Sequence, residues 1–399
     1  MMAAGQAASL GAEVLLLEKM DSPGRKLLLT GKNRCNLTNT ERVQTFLDHF
    51  NPGGKFLTQL FYRFFNRELR DFFHQLGVPT EEQRGGRVFP ESEDARDVLS
   101  ALLRWMEREG VTIWTSCSAQ DLKISKKQIQ GVQTPRGVIP TRKVILAAGG
   151  KAYPGTGSTG DGYALAQDAG HHIHPVRPAL VPLITRGGTA QKLQGLTLKN
   201  MTVNLWVEGE KVDDIFGEML FTHFGVSGPV ILTLSRQIVD YLRADKKVVL
   251  AIDLKPALDH PTLDARLVRD LDRLGRKQFS SLLEGLLPSS LIPVCVEQTG
   301  IPWEKKNNQI TSEERKRLRM WLKEDFRLEV EADRGFDQAI VTAGGVDTAE
   351  VDPQTMASKL VSGLYFAGEV LDVDGDTGGY NLQAAFSTGW AAGRAAARA

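Results

Sequence analysis

Three short apolar runs, two of them far apart in the chain and closed by glycine, restrict the fold more than any other feature. Residues 144–150 read VILAAGG, residues 364–369 read LYFAGE, and residues 12–18 read AEVLLLE. Continuous apolar strands belong to a parallel sheet enclosed on both faces, whereas a sheet with one wet face alternates apolar and polar. A small-residue turn after such a strand lets the backbone come close to a ligand. The pattern predicts an α/β domain whose sheet is assembled from both ends of the chain, with an insertion between.

The segments between the runs support that division. Residues 2–10 read as a small-residue helix ended by Gly11. Residues 54–76 read as one long helix, and 94–109 as another, with Val98, Leu99, Leu102, Leu103 and Met106 at helical spacing. Strands at 111–115, 121–125 and 128–134 are separated by turn residues, as in a meander. From about residue 186 the texture changes to alternating strands such as TVNLWVEGEKV and KKVVLAIDL, and then to charge-rich helices. The expected organisation is a first domain at 1–185, a β-rich insert at 186–255 that ends at 328–341, a helical insert at 256–327, and the rest of the first domain at 342–399.

Composition excludes several classes. The 399 residues are 42% hydrophobic and 24% charged with net charge +1, which gives no overall basic field for nucleic acid. Cys35, Cys117 and Cys295 are scattered without a CxxC, which suits reduced thiols in the cytoplasm and not a disulfide framework or a zinc site. No run approaches the roughly 18 apolar residues of a membrane span, and nothing in the sequence calls for an obligate protein partner. His171, His172 and His174 are spaced too irregularly for metal ligation and read as polar strand-edge residues.

The chemistry gathers at the strand ends. An acid at the tip of the second strand of a dinucleotide-binding unit accepts hydrogen bonds from ribose hydroxyls, and Glu18 occupies such a tip. Arg25 and Lys26 follow a Pro-Gly turn, within reach of a pyrophosphate. Gly31, Arg34, Cys35, Asn36 and Asn39 form a loop dense in donors, which a plain turn does not require. Gly378 and Gly379 open the small-residue helix at the C-terminal end, whose first amides and dipole suit the negative charge that develops on a reduced flavin. A closely packed terminal helix is the other reading of that segment.

Taken in order, GRKLLLTGKNRCNLTN (24–39), GGKAYPGTGSTGDGYALAQDAGH (149–171), FTHFGVSGP (221–229), TAGGVD (342–347) and GLYFAGEVLDVDGDTGGYNLQAAFSTG (363–389) resemble the BaiN/RdsA family of FAD-dependent oxidoreductases, the YhiN-like flavoproteins, over essentially the whole chain. The resemblance implies a Rossmann-like FAD domain of the two-dinucleotide-binding type, with an inserted β-barrel-like domain and a small helical domain. It implies FAD as cofactor, NAD(P)H as a transient reductant, and a small unsaturated molecule or ribosomal RNA as acceptor. A flavin-binding protein without turnover is the remaining alternative. By the same resemblance Glu18 holds the adenosine ribose, Ala119 meets the adenine, and Ala148 and Gly149 close over the adenosine. Arg25, Lys26, Gly368 and Glu369 lie along the pyrophosphate and ribityl chain. Arg34, Cys35 and Asn36 line the isoalloxazine, and Gly378, Gly379, Tyr380, Asn381 and Leu382 meet its pyrimidine edge.

Two departures stand out. Lys32 and Asn33 replace part of a Gly-rich run that usually precedes RCN in this family. The sequence also opens on the helix and second strand of the nucleotide unit, so an apolar strand with G-x-G-x-x-G is expected upstream in the gene, about 20 residues before Glu18.

Overall fold

A computed structural model describes residues 1–50 and 53–398, which fall into two compact units, Met1–Ala179 with Gly335–Ala399 and Leu180–Arg334. In the first unit, Val144–Leu146 and Leu364–Phe366 pair in parallel, Val144 opposite Leu364 and Leu146 opposite Phe366. Two distant runs are thereby placed edge to edge, with their small-residue turns side by side. Leu15–Leu17 pairs in parallel with Thr112–Trp114. Its three leucines are half-buried instead of enclosed, because among the described residues their ladder runs along one edge only.

Helices pack around these ladders for local reasons. Ala95–Arg108 starts on Asp94, whose carboxylate accepts the Arg96 amide at 2.9 Å, and buries Val98, Ala101, Leu102, Trp105 and Met106 on one face. The terminal helix Tyr380–Arg398 lies against Met2–Ala8 through Gly389 and Gly393, where a side chain on Gly393 would meet the Ala3 carbonyl. The expected single helix at 54–76 is two, Gly54–Phe61 and Asn66–Gln75. Phe65 is extended between them, and its amide is taken by the Glu68 carboxylate at 3.0 Å. The break turns Phe61 and Phe65 into an aromatic cluster with Phe46, and Asn66 donates to the carbonyls of Asn39 and Glu41. Tertiary packing and capping override helical periodicity here.

The second unit is built on a closed barrel of six strands, in the order Leu183–Thr185, Gly225–Ser227, Glu210–Phe221, Thr197–Val207, Val248–Asp253, Arg327–Asp333. Its long hairpin turns on Glu208 and Gly209, both left-handed, the two-residue turn that matches strand twist. The helix Pro229–Arg243 carries Pro229 in its first turn, with Gly228 at the cap after the strand that ends at Ser227. The helix His260–Leu274 buries Leu263, Leu267 and Leu271 at a four-residue interval in the same core as the barrel strands.

Candidate functional site

The tip of Leu15–Leu17 is fixed by its neighbour. The Glu18 amide donates to the Trp114 carbonyl at 2.9 Å, and the Cys117 amide donates to the Glu18 carbonyl at 2.9 Å, which carries residues 117–119 past the acid. One Glu18 carboxylate oxygen accepts the Met20 amide at 2.8 Å. Lys19 crosses to Thr159 and Asp161, so the glycine-rich loop at 155–162 lies beside this tip. Asp161 occupies the start of the following helix and pairs there with Lys19. Ala148 is exposed, and Gly149 takes a left-handed φ of 72°.

At the second pair of tips a charged pair forms. Lys26 donates to Glu369 at 2.5 Å, both partly buried, and the other Glu369 oxygen accepts the Thr342 amide at 2.7 Å. Thr342 in turn accepts the amides of Lys151 and Ala152 at 2.7 and 3.0 Å. The Gly368 amide donates to the Thr388 hydroxyl. Arg25 instead pairs with Asp21 at 2.5 Å on the surface.

The donor-rich loop is strained. Gly31, Lys32, Asn33 and Cys35 all have left-handed φ, between 58° and 67°. Three of the four carry side chains, at a cost of roughly 1–2 kcal/mol each, and such strain concentrates at functional positions. Cys35 sits wholly buried among Leu37, Leu69 and Phe73, and burial pushes its thiol up to about 12, so it stays protonated. The Arg34 guanidinium turns to Glu93 at 2.6 Å and stacks over Phe89. Asn36 keeps a buried side-chain oxygen without a hydrogen-bond partner among the described residues.

This loop meets the start of the terminal helix. A side chain on Gly379 (φ 103°) would run into the Thr38 carbonyl, and the Asn39 side chain donates through Nδ2 to the Gly378 carbonyl at 3.3 Å. Asn381 holds the preceding turn, accepting the Gly375 amide at 2.8 Å and donating to the carbonyls of Gly375 and Asp376. The amides of Tyr380, Asn381 and Leu382 precede the first intrahelical hydrogen bond, that of Gln383 to Gly379, and point out of the helix start. Tyr380 itself is buried in the aromatic cluster, and Leu382 is half-buried.

One histidine corrects the sequence reading. His171 is not a strand-edge residue: its buried ring bonds Glu350 at 2.9 Å and Ser358 at 2.7 Å. The Ser358 oxygen also accepts the amides of Leu360 and Val361, so its lone pairs are committed and the trio is a clamp, not a nucleophile. His174 lies 3.6 Å from Asp347 and 3.9 Å from Asp372. The carboxylates come from a segment far along the chain, so no spacing signal announces them. Among the described residues there is no cluster suited to a metal ion and no helix long and apolar enough to cross a membrane.

A Rossmann-type domain with strand tips, a strained donor loop and open helix amides at one helix start, and an inserted barrel, define a class: the FAD-dependent oxidoreductases. The chain belongs to the HI0933-like family, matching "HI0933-like protein Rossmann domain" over residues 1–395. It is 36% identical to the 3-dehydro-bile acid delta(4,6)-reductase of Clostridium scindens, across 97% of this chain and 93% of that one. It is 31% identical to the ribosomal RNA dihydrouridine synthase of Escherichia coli, across 97% and 92%. Its fold is similar to that of 3-ketosteroid-delta4-(5alpha)-dehydrogenase from Rhodococcus jostii, at 15% identity and a TM-score of 0.53, across 99% of this chain and 94% of that one. The residues present fit a flavin nucleotide: an orphaned Asn36 oxygen, three outward helix amides and a glycine that admits no side chain lie on adjoining segments.

Proposed function

We propose that this protein is a cytoplasmic NAD(P)H-linked reductase of an unsaturated small molecule, with FAD as its resident cofactor. Bound FAD supplies the two-electron redox chemistry, and the protein supplies position and charge. The observation that carries this reading is the meeting of the 31–39 loop with the Gly378, Gly379 and Tyr380 turn. The amides of Tyr380, Asn381 and Leu382 stabilise negative charge at the pyrimidine edge, helped by the helix dipole. Asn36 offers its unpaired oxygen to a ring N–H, and the backbone of Arg34 and Cys35 lines the ring. Glu18 takes the ribose hydroxyls with its second oxygen, beside Ala119, Ala148 and Gly149. Lys26 and Glu369 act as one neutral pair along the ribityl chain with Gly368, and Arg25 stands at the outer edge of the pyrophosphate.

A uridine of ribosomal RNA is the second reading, favoured by the relationship to the Escherichia coli enzyme. Against it, the basic residues of the helical segment are partly neutralised. Asp264 pairs with Arg315 and Arg319 at 3.1 and 3.4 Å, and Asp270 with Arg266 and Arg273 at 3.5 and 3.1 Å. Arg269, Arg276, Lys277, Lys316 and Arg317 remain exposed without an ion pair among the described residues.

The FAD-loaded protein is expected to bleach anaerobically on adding NADPH or NADH, and to recover its colour on adding a conjugated enone such as a 3-oxo-4-ene steroid, which gains two hydrogens. No bleaching with either nicotinamide sinks the reductase reading. Recovery with a uridine-containing ribosomal RNA fragment but not with the enone moves the assignment to RNA. In that case, replacing the five exposed cations by Gln should make RNA binding weaker and less salt-dependent.

A further inference from the structure

Four side chains, two of them outside the motifs, converge at the turn that precedes the terminal helix. His49, at the end of the helix Val43–Asp48, places Nδ1 2.9 Å from an Asp376 oxygen. Its Nε2 lies 3.1 Å from a Glu41 oxygen, an ion-pair contact rather than an aligned hydrogen bond. Its ring stacks on Tyr380, centroids 4.0 Å apart. The backbone runs the same way. The Asp376 amide donates to the His49 carbonyl at 3.1 Å, and Phe50 forms a bridge to Gly375.

We propose that His49, as an imidazolium, is the positioning residue for the flavin-facing turn, drawing Glu41 and Asp376 together so that Gly375 to Tyr380 keep the conformation that retains FAD. This rests on the reading of that turn as the seat of the flavin.

The physical argument is a count of protons. An imidazolium has two N–H groups, one for each carboxylate; neutral imidazole has one. On losing a proton, one ring nitrogen presents a lone pair to a carboxylate about 3 Å away, and the two acids face each other across a ring that no longer offsets their charge. Among the described groups, Glu41, Asp376 and Tyr380 face His49 from the elements packed on it. Burial opposes the charge on His49, but the two carboxylates outweigh it and hold the group above the usual histidine range. The sign follows. A raised value in the folded state means that the clamp is fully present below about pH 6.5, the unfolded value, and is lost as pH rises through the folded value. Binding of FAD should therefore weaken toward alkaline pH.

The measurement is the dissociation constant of FAD by flavin fluorescence from pH 6 to 9.5, for the wild type and His49→Gln. The wild type is expected to lose FAD affinity as pH rises through the folded value of His49, by about tenfold for each unit by which bound FAD raises that value further. His49→Gln should bind more weakly at pH 6.5 and show a flat profile. A flat wild-type profile, or a variant that keeps the wild-type slope, overturns the proposal. The melting temperature of FAD-free protein gives an independent reading. The gap between wild type and His49→Gln should be largest near pH 6 and close by pH 9, and a gap constant with pH also overturns the clamp. Should the wild type take up no FAD at any pH, the cofactor reading fails while the melting gap still decides the clamp.

Discussion

Gly379→Val is expected to remove FAD binding and to lower stability by about 3 kcal/mol. The position combines two penalties. Its φ of 103° lies where side chains are strained, and a Cβ there would collide with the carbonyl of Thr38. Left-handed strain costs roughly 1–3 kcal/mol, and forcing atoms into filled space costs roughly another 1–3. Thr38 cannot give way cheaply, because it is fully buried and paired with Val88 in a sheet. The chain must move at the turn instead, and the three amides that follow Gly379 move with it. Gly379→Ala carries the same Cβ and should lose nearly as much stability. FAD titration and thermal melting of both variants check this, at a temperature where each is folded. Normal FAD affinity in a destabilised Gly379→Ala would leave the terminal helix as close packing only, the bland reading of its sequence.

Where chemistry sits on strand tips and helix starts, the sequence was legible. The runs at 144–146 and 364–366 announced a sheet built from both ends of the chain, because only enclosed strands are continuously apolar. The helix at 94–109 was legible because its apolar residues recur at helical spacing, a local pattern. The inserted barrel followed from family resemblance; alternation alone suggested antiparallel strands without closing them. What stayed hidden is long-range pairing. Nothing within the motifs says that Arg34 turns to Glu93, that Lys26 meets Glu369, or that His49 is held by Asp376, since each pair joins distant segments. The 54–76 stretch misled for a related reason. Its periodicity is helical throughout, but the first helix ends at Phe61, and Asn66 and Glu68 bind other backbone groups and start a second helix after Phe65.

Lys26 and Glu369 illustrate how such a pairing changes the consequence of a substitution. Read separately, each is a polar group along the ribityl and pyrophosphate chain, and Lys26→Met would remove a phosphate contact. Read as a pair, Lys26→Met leaves a carboxylate beside the anionic end of the cofactor. Glu369→Ala strips the counter-charge from Lys26 and the acceptor from the Thr342 amide at once. Removing one partner of a buried pair costs about 3–5 kcal/mol, and partial exposure of both side chains reduces that to about 2. The Thr342 amide adds about 1 kcal/mol or more. Glu369→Ala is therefore expected to destabilise the FAD-free protein by about 3 kcal/mol. Glu369→Gln keeps the acceptor for Thr342 and should recover part of that loss. The double variant Lys26→Met with Glu369→Ala should be less destabilised than the sum of the single variants, by about 1–2 kcal/mol, since it leaves no unpaired charge. Denaturant unfolding of the four proteins completes the cycle. Strict additivity would mean that the two side chains are solvated separately, and FAD affinity would then fall for Lys26→Met through a lost phosphate contact instead of a newly exposed carboxylate. The pairing predicts the reverse: in the double variant FAD binding should recover relative to Lys26→Met alone, because the repelling carboxylate is gone.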